Sequence, residues 1–441
     1  MQPCGCATRF ATRSWRIAEN RTLSGERRRL GIFSWCLYDW ANSAFSTVIV
    51  TFVFATYFTQ AVAPDPITGT IFWARALSLA ALVVAVLSPA LGAIADKCGR
   101  RKPWLLCCTL ACVVATSLMW FVEPTTDDMM PALILVFLAS VAFSLAMVFY
   151  DAMLPTLVSS QWRGRVSGWG WGLGYFGGLV CLLLVLLLAR GGALSSVLDA
   201  GSMQQHRLAA IVAGLWFAIF SVPLFLLTPD RPATEMSFVR AATDGLKTLW
   251  GTLQAARRHA AILRFLIAHL FYTNGLTTLF AFGAIYAAGT FGMDFGEVLR
   301  FGIALNISAG CGALAFAWID DRIGSKRTIL IALSGLILLG GILVVVQSKQ
   351  FLWTFGVMLG IFVGPAQAAG RSLMARLTPR DRETEMFGLY ALAGKATVFL
   401  GPLVFSLATD LFDSQRAGMA TILIFFILGF VVLRGLHEPE R

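Results

Sequence analysis

The chain has few charged residues for its length and no polar stretch long enough for a water-soluble domain. Only 13% of its 441 residues are charged, whereas a soluble domain has about 25%. Hydrophobic residues make up 57% of the chain. These proportions exclude a fold with a solvated polar shell, and they indicate that lipid surrounds most of the protein.

Several functional classes lack their sequence signatures. The chain has no glycine-rich loop with a lysine to hold nucleotide phosphates, and it has no metal-ligand spacing. Its nine cysteines, an odd number, lie mostly in apolar runs, which favours small buried hydrophobes over a disulfide framework. We therefore expect no catalytic residues, no bound metal and no cofactor.

Twelve segments are apolar over the roughly 20 residues that a membrane-spanning helix needs. They are approximately 33–59, 71–95, 103–122, 131–153, 166–189, 208–228, 264–288, 297–319, 328–346, 351–374, 386–408 and 417–435. The sequence thus predicts an all-α membrane protein with two six-helix bundles, 33–228 and 264–436. Residues 1–32 form a basic tail, 229–263 a linker and 437–441 a short C-terminus. The linker's part 238–259 mixes apolar and basic residues, as an interfacial helix does.

Basic residues fall mainly on one side of this arrangement. The inner links and tails hold 28 of the 35 Lys and Arg, and the outer links hold five. The positive-inside rule therefore places both termini in the cytoplasm. This bias also accounts for the net charge of +11 without any nucleic-acid partner. The first 31 residues hold seven arginines but no apolar signal core, so we expect a cytoplasmic tail or an over-extended start.

A loop motif occurs once in each predicted half. Asp96, Gly99, Arg100 and Arg101 follow Gly92 between spans 2 and 3, and Asp321 and Gly324 repeat the spacing, with basic residues after them, between spans 8 and 9. A glycine at 92 allows close helix approach, and a glycine at 99 allows a tight turn. Asp96 can accept hydrogen bonds from a neighbouring helix N-terminus or an arginine, a contact that a rocking motion would break. The alternative is a basic loop that only prevents translocation.

Polar residues inside the predicted spans are distributed unevenly. Spans 3, 6, 9 and 12 contain no ionisable residue in their cores, so we expect these four helices to face lipid around eight that line a cavity. The candidate solute-binding residues on the other spans are Asp39, Asn42, Asn274, Gln367 and Lys395.

Counting along the helices suggests that the candidate residues meet at one level. At about 1.5 Å per residue, Asp39 lies roughly 9 Å, Gln367 roughly 10 Å and Lys395 roughly 13 Å from the inner helix ends. Two interpretations stay open. Asp39 and Lys395 address the two ends of a zwitterion, or they form a structural ion pair in lipid.

Other ionisable residues receive structural interpretations from the sequence. Arg371 and Arg376 are expected to snorkel or to pair with loops near the inner end of span 10. Asp151 is expected to pair with Arg163 or Arg165, and a proton relay through His269 on span 7 is a weaker alternative to packing.

The gap-free match of the first loop to a known signature indicates the major facilitator superfamily. Four segments then resemble its vacuole-effluxer-like branch: 38–45 (YDWANSAF), 149–155 (FYDAMLP), 271–275 (FYTNG) with 285–289 (IYAAG), and 364–372 (GPAQAAGRS) with 387–390 (FGLY) and 394–396 (GKA). Eukaryotic members of that branch export amino acids from the vacuole. The resemblance implies two parallel six-helix repeats and a secondary transporter of small polar solutes, with amino acids first.

The resemblance also implies a bacterial member, a monomer in the lipid of the inner (cell) membrane. Members of the branch usually have Asp where this chain has Asn274 and Ser where it has Gly370. Without a carboxylate at 274, any coupling proton depends on Asp39. An exporter of lipids or apolar compounds would favour an apolar cavity, and a non-transporting receptor would not need gating loops in both halves.

Topology can be tested by cysteine labelling. We expect cysteines introduced at Lys97 and Arg322 to resist a membrane-impermeant maleimide in intact cells and to react after permeabilisation. A cysteine at Lys349, on the opposite side, is the control and should react in intact cells. Labelling of position 97 or 322 from outside would contradict the twelve-span arrangement.

Overall fold

The computed structural model describes residues 25–190, 203–234 and 260–436, together with positions 240, 243, 244 and 247. Regular structure in these residues is helical throughout, and twelve of the helices are long and apolar enough to cross a membrane. The predicted all-α protein with twelve spans is confirmed. Most of the basic tail, the final residues and nearly all of the expected interfacial helix lie outside the described residues.

The twelve spans are numbered α1 to α12 along the chain. Their bounds are Glu26–Val62, Thr68–Cys98, Lys102–Phe121, Thr126–Leu157, Ser160–Leu188, His206–Leu227, Ala260–Phe291, Gly296–Ile323, Ser325–Val345, Lys349–Leu377, Glu383–Phe412 and Gln415–Arg434. Most extend the predicted segments by several residues at one or both ends. The extra residues belong mainly to helix ends that are too polar to be recognised from hydropathy.

Two spans depart from an α-helix in their interiors. Span α1 is α-helical up to Ala44 and then contains π-helical turns over Phe45–Phe52 and Phe58–Val62. Span α11, predicted as continuous, is interrupted at 396–399 between Glu383–Lys395 and Leu400–Phe412. Ala396 and Phe399 keep right-handed helical angles there, and Leu400 N donates to Thr397 O in a tighter turn. Pro402 favours this change, because it has no N–H to donate to the carbonyl four residues earlier.

The two halves repeat one packing scheme. In the first half, α1 packs on α5 and α6, α3 packs on α4 and α6, and α2 packs on α4. In the second half, α7 packs on α11 and α12, α9 packs on α10 and α12, and α8 packs on α10. Each pair in one half matches a pair six helices later in the other. The predicted parallel repeat is therefore confirmed.

The outer helices of each half present apolar side chains away from the bundle. Spans α3, α6, α9 and α12 make their main contacts within their own half. Along α6 the exposed residues are Leu215, Ile219, Val222 and Leu226, at steps of three or four residues. This spacing puts them on one face of the helix, where lipid would cover them.

Across the two halves, α2 packs on α11 and α5 packs on α8 with little space between the backbones. A Cβ atom added to Gly92 would collide with the Thr384 carbonyl oxygen, and one added to Gly388 would lie 2.5 Å from the Ser88 carbonyl oxygen. A Cβ atom on Gly168 of α5 would lie 2.5 Å from the Ala317 methyl group of α8. Glycine is needed at these positions for the halves to meet.

We expect Gly92→Ala to favour separation of the two halves. The added methyl group must displace the α11 backbone, and such overpacking costs about 1–3 kcal/mol. A reporter cysteine at the buried position Ala375 should then react with maleimide at least about fivefold faster, as scored by mass spectrometry. Gly341→Ala is the matched control, because a Cβ there meets no atom within 4 Å. Equal reactivity in both variants would contradict the close-approach role.

Candidate functional site

Arg371 of α10 lies in the centre of a buried polar cluster that joins the two halves. Its side chain is only 2% exposed. Nη1 donates to Asp39 Oδ2 on α1 at 2.9 Å and to Asp151 Oδ1 on α4 at 3.2 Å. Nε and Nη2 donate to the hydroxyl and carbonyl oxygens of Ser167 on α5, at 2.9 and 2.8 Å. One side chain of the second half is thus bound to three helices of the first.

Aromatic rings surround the guanidinium group of Arg371. Its Cζ atom lies 4.8, 5.6 and 5.7 Å from the ring centroids of Trp35, Tyr150 and Trp171. Trp35 and Tyr150 stack at 4.4 Å and exchange hydrogen bonds, each donating to the other's carbonyl oxygen. This apolar box excludes water, strengthens the ion pairs and adds cation–π attraction.

The charges in this cluster do not cancel. Two carboxylates, Asp39 and Asp151, share one guanidinium group. Asn42, whose Nδ2 lies 3.4 Å from Asp39 Oδ1, is neutral and adds no positive charge. An excess negative charge inside a membrane protein is unfavourable. The cluster is therefore a place where one proton could bind.

Two sequence-based expectations, for Asp151 and for Arg371, were wrong here, and the ion pair that was one of two interpretations left open for Asp39 and Lys395 does not form. Asp39 pairs with Arg371 instead of Lys395, and Asp151 also pairs with Arg371 instead of Arg163 or Arg165. Arg371 does not snorkel, because its side chain turns into the bundle. It lies six residues from the end of α10, roughly 9 Å deep, which is the level estimated for Asp39. Arg371 was counted among the basic residues of the inner links, and leaving it out of that count hardly changes the excess of Lys and Arg on the inner side.

The basic end of the bundle is defined here as the end carrying the α2–α3, α4–α5, α8–α9 and α10–α11 links. Asp96 at this end binds the first turn of α11. Its carboxylate accepts from Glu385 N at 2.9 Å, from Thr384 Oγ1 at 2.7 Å and from Arg101 Nη2 at 3.2 Å. Arg101 is buried and also contacts Glu383 at 3.2 Å. These bonds hold α2 of the first half against α11 of the second.

Asp321 makes the equivalent contact from the second half. Its carboxylate accepts from the amide groups of Gly164 and Arg165, at 2.9 and 3.2 Å, in the first turn of α5. Arg165 Nε and Arg376 Nη2 add ion pairs of 3.1 and 3.3 Å. In both halves a motif aspartate thus meets the positive end of a helix from the other half.

The loop glycines adopt the left-handed backbone that the motif requires. Gly99 has a φ angle of +86° and Gly324 one of +98°. Residues other than glycine are strained in this region. Arg100, also predicted as a gating residue, is exposed and forms no ion pair with a described residue. Of the motif's first two arginines, Arg101 is the buried one.

The beginning of the linker binds to the same loop. Asp230 accepts hydrogen bonds from the amide groups of Arg101 and Lys102, at 3.0 and 3.1 Å, where α3 begins. The next residue, Arg231, forms a 2.8 Å ion pair with Glu383 on α11. The linker therefore adds a further contact between the halves.

The remaining candidate residues lie on α7, α10 and α11 of the second half. Gln367 Oε1 accepts from the hydroxyl group of Tyr175 on α5 at 2.5 Å. Asn274 of α7 donates from Nδ2 to Thr397 Oγ1 at 2.8 Å. No hydrogen bond or ion pair among the described residues links Asp39 and Asn42 with Asn274 or Lys395. That the five residues share one solute site therefore stays a prediction.

The hydrogen bonds identified between the halves lie toward the basic end. Beyond those above, Arg163 Nη1 donates to Ala375 O at 2.9 Å, Ser167 Oγ to Ala368 O at 2.7 Å and Ser88 Oγ to Gly388 O at 3.1 Å. The second segment of α11, Leu400–Phe412, packs on α7 and α12 of its own half. The structure therefore has its basic end closed.

Sequence reasoning missed Ser167 and the aromatic box of Trp35, Tyr150 and Trp171. Trp35 and Tyr150 lie within a few positions of Asp39 and Asp151, which are both in family-like segments. That proximity was a usable signal for a shared site.

This twelve-helix fold with a central charged cluster is that of a major facilitator transporter. The structure is similar to that of the transporter FucP in the outward conformation, with a TM-score of 0.71 and 14% identity over 93% of this chain and 99% of that one. The family model described as "Vacuole effluxer Atg22 like" matches residues 62–439, so the chain belongs to this family. The resemblance read from the four segments is confirmed.

Curated relatives agree with this assignment. An uncharacterized MFS-type transporter of Bacillus subtilis, YxiO, is 25% identical over 92% of this chain and 94% of its own length. Autophagy-related protein 22 of Kluyveromyces lactis is 24% identical over 82% of this chain and 79% of its own length. Both similarities extend over most of each protein.

We expect Asp96→Asn and Asp321→Asn to reduce transport strongly and to a similar extent. Each removes a charged acceptor, and hydrogen bonds to such groups are worth about 1.5–3 kcal/mol. The substitutions should leave solute binding and protein levels largely intact, because they change the balance between states. Asp410→Asn, at an exposed position of α11, is the control. Wild-type transport rates in both motif variants would exclude a gating role.

Proposed function

We propose that this protein is a secondary transporter that moves a small polar solute across a bacterial cell membrane by alternating access. The observation that carries the proposal is the buried bond of Arg371 in one half to Asp39, Asp151 and Ser167 in the other. A static scaffold has no need of a charged cluster between two repeats. In a transporter it is the contact that forms and breaks in each cycle.

Opening of the basic end requires these contacts to separate. The six-helix halves, 33–228 and 264–436, would rock apart as units, so that Arg371 leaves its partners and both motif aspartates leave their helix ends. Removing one partner from a buried ion pair costs about 3–5 kcal/mol, although entering water offsets part of this. The energy must come from ligands that bind the two states differently.

A proton at the carboxylate pair could supply part of that energy. Asp39 and Asp151 hold Arg371 with one negative charge in excess. A proton taken from water on the open side would neutralise one carboxylate and weaken its attraction for the guanidinium group. Release on the other side, after Arg371 has moved, would complete the cycle. The coupling role expected for Asp39 is thereby assigned to the pair.

Amino acids are the solute class that we favour. The support is membership of a family described as vacuole-effluxer-like, together with the polar residues Gln367, Asn274 and Lys395 on the second half. Asp39 and Asn42 we assign to the cluster around Arg371 and not to solute binding. An exporter of lipids or apolar compounds would have no use for these polar groups. A receptor would have no use for two mirrored helix-end contacts.

The positive charges of the links support an orientation with the basic end and both termini in the cytoplasm. In this orientation the closed end in the structure faces the cytoplasm. We further propose a monomer as the functional unit, since each chain contains both halves.

The function is tested by uptake into proteoliposomes across an amino-acid panel, with and without a pH gradient. We expect wild-type protein to accumulate at least one amino acid in a gradient-dependent manner. Asp39→Asn and Asp151→Asn should lose most gradient-driven accumulation, because each removes a site for the coupling proton. Asp127→Asn, at an exposed position in the first turn of α4, is the control.

Two results would count against this account. Full gradient dependence in both Asn variants would show that the coupling proton binds elsewhere. Failure of wild-type protein to move any of the amino acids, or any other small polar solute, would contradict the transport function.

A further inference from the structure

The first residues of the linker, 230–234, run along the α2–α3 loop, and we call them the linker strap. At one end, both carboxylate oxygens of Asp230 accept from the first amide groups of α3. At the other end, Thr234 donates from N to Cys98 O at 3.1 Å and from Oγ1 to Lys97 O at 2.5 Å, in the last turn of α2. Groups at helix ends lack partners within their own helix. The strap is therefore fastened to the first half at both ends.

The middle of the strap has a restricted conformation. A Cβ atom added to Gly99 would collide with the Pro232 carbonyl oxygen, so the strap packs directly on the loop. Pro232 also disfavours a helical backbone at the residue before it, which is Arg231. Asp230 Oδ1 accepts a hydrogen bond from Arg231 N at 2.9 Å. The backbone of Arg231 is thus held in place independently of the contacts that its side chain makes.

The side chain of Arg231 extends from the strap to the second half. Its Nη2 atom lies 2.8 Å from Glu383 Oε1, in the first turn of α11, and 3.5 Å from Asp381 Oδ1, just before that helix. The other oxygen of Glu383 binds Arg101 at 3.2 Å. Two arginines of the first half therefore share one carboxylate of the second half, beside the helix end that binds Asp96.

The ion pair of Arg231 is partly enclosed. The Glu383 side chain is 5% exposed, whereas the Arg231 side chain is 21% exposed. Loss of Arg231 would leave Glu383 Oε1 enclosed without its charged partner, which is unfavourable. Dissolved ions reach Arg231 more easily than they reach Arg371, which is 2% exposed. The pair therefore holds α11 in place and also responds to salt.

The two gating contacts differ in this respect. The Asp321 contact with α5 uses the span residues Gly164, Arg165 and Arg376. The Asp96 contact with α11 has the strap in addition to residues of the spans and their loop. A linker that only joined the two halves would need no ion pair to the beginning of α11.

We propose that Arg231 is a gating residue of the basic end, held in position by the linker strap. In the closed state it binds the beginning of α11 to the first half. When the halves separate, Asp230 and Thr234 keep the strap on the first half, so the bond of Arg231 to Glu383 breaks together with the Asp96 contact. This role rests on the alternating access proposed above, and it adds a gating residue that belongs to neither loop motif.

The test measures opening of the basic end in purified full-length protein without solute. A reporter cysteine at Ala375, a buried position, reacts with maleimide when this end opens, and mass spectrometry gives the rate. Arg231→Gln should raise the rate about three- to fivefold at low salt, as expected for one partly exposed ion pair. Arg231→Lys, which keeps the charge, should restore most of the closure. Arg240→Gln, at an exposed position of the same linker, is the matched control.

Two further measurements assign the effect to the ion pair. A higher salt concentration should speed the reaction of wild-type protein and should change Arg231→Gln much less, because the screened contact is already missing. Glu383→Gln should open the basic end further than Arg231→Gln does, since it also removes a partner of Arg101. Adding Arg231→Gln to Glu383→Gln should then change the rate by less than about twofold. A monodisperse elution profile shows that each variant is folded.

The outcomes separate this role from the transport function. A rate and a salt dependence in Arg231→Gln equal to those in Arg240→Gln would overturn the gating role, even if wild-type protein transports solute. An equal increase from Arg231→Gln with and without Glu383→Gln would overturn it as well, because the pair would then not be the contact that holds α11. If wild-type protein accumulates no solute in proteoliposomes, the transport function fails, while the reaction rates still decide whether Arg231 closes the basic end.

Discussion

The structure depends on the need to neutralise a buried guanidinium group between two halves of a membrane protein. Arg371 belongs to the second half, yet both its carboxylate partners and its serine belong to the first. In surroundings of low dielectric constant such an ion pair is strong when formed and costly when one partner is removed. The halves are therefore held together at this end until water, a proton or a solute changes the balance. The glycines at Gly92 and Gly388 let the backbones approach closely enough for the pairing.

The motif loops extend the same electrostatic principle to the end of the bundle. Asp96 meets the first turn of α11, and Asp321 meets the first turn of α5. Each aspartate uses helix-end amide groups that have no partner within their own helix. Such contacts are strong enough to favour the closed state and weak enough to be exchanged in each cycle. Their symmetry follows from the sequence repeat, because equivalent loops meet equivalent helices.

Much of this architecture could be predicted from the sequence. Hydropathy and the charge bias identify twelve spans, and the repeated Asp-x-x-Gly spacing identifies two parallel halves. The pairing of Asp39 could not be found in this way, since its partner lies 332 positions away and many basic residues were available. The error came from assigning Arg371 to the loop side by its nearness to the helix end. The distance of Arg371 from the inner helix end, taken alone, would have placed it at the same level as Asp39.

The interruption of α11 had a signal in the sequence that hydropathy does not weigh. Gly401 and Pro402 follow Lys395 closely, and a proline inside an apolar run removes a helix hydrogen bond. Which polar groups gather at such a gap depends on the packing of α7 against α11, which a single sequence does not contain. The second half therefore carries two kinds of polar site. One is the cluster around Arg371, in which the protein's own charges pair with each other. The other is at Asn274 and Lys395, where the Oδ1 and Nζ atoms have no hydrogen-bond partner among the described residues.

Double electron–electron resonance tests most directly whether the Arg371 cluster holds the basic end closed. Spin labels at the exposed positions 100, in the first motif loop, and 327, in the first turn of α9, report the separation of the halves at this end. The account predicts that Arg371→Met shifts the distance distribution to longer values by several ångströms without any solute. Protonation at low pH should shift wild-type protein in the same direction. A distribution in Arg371→Met that coincides with that of the wild type would contradict the central role of this residue.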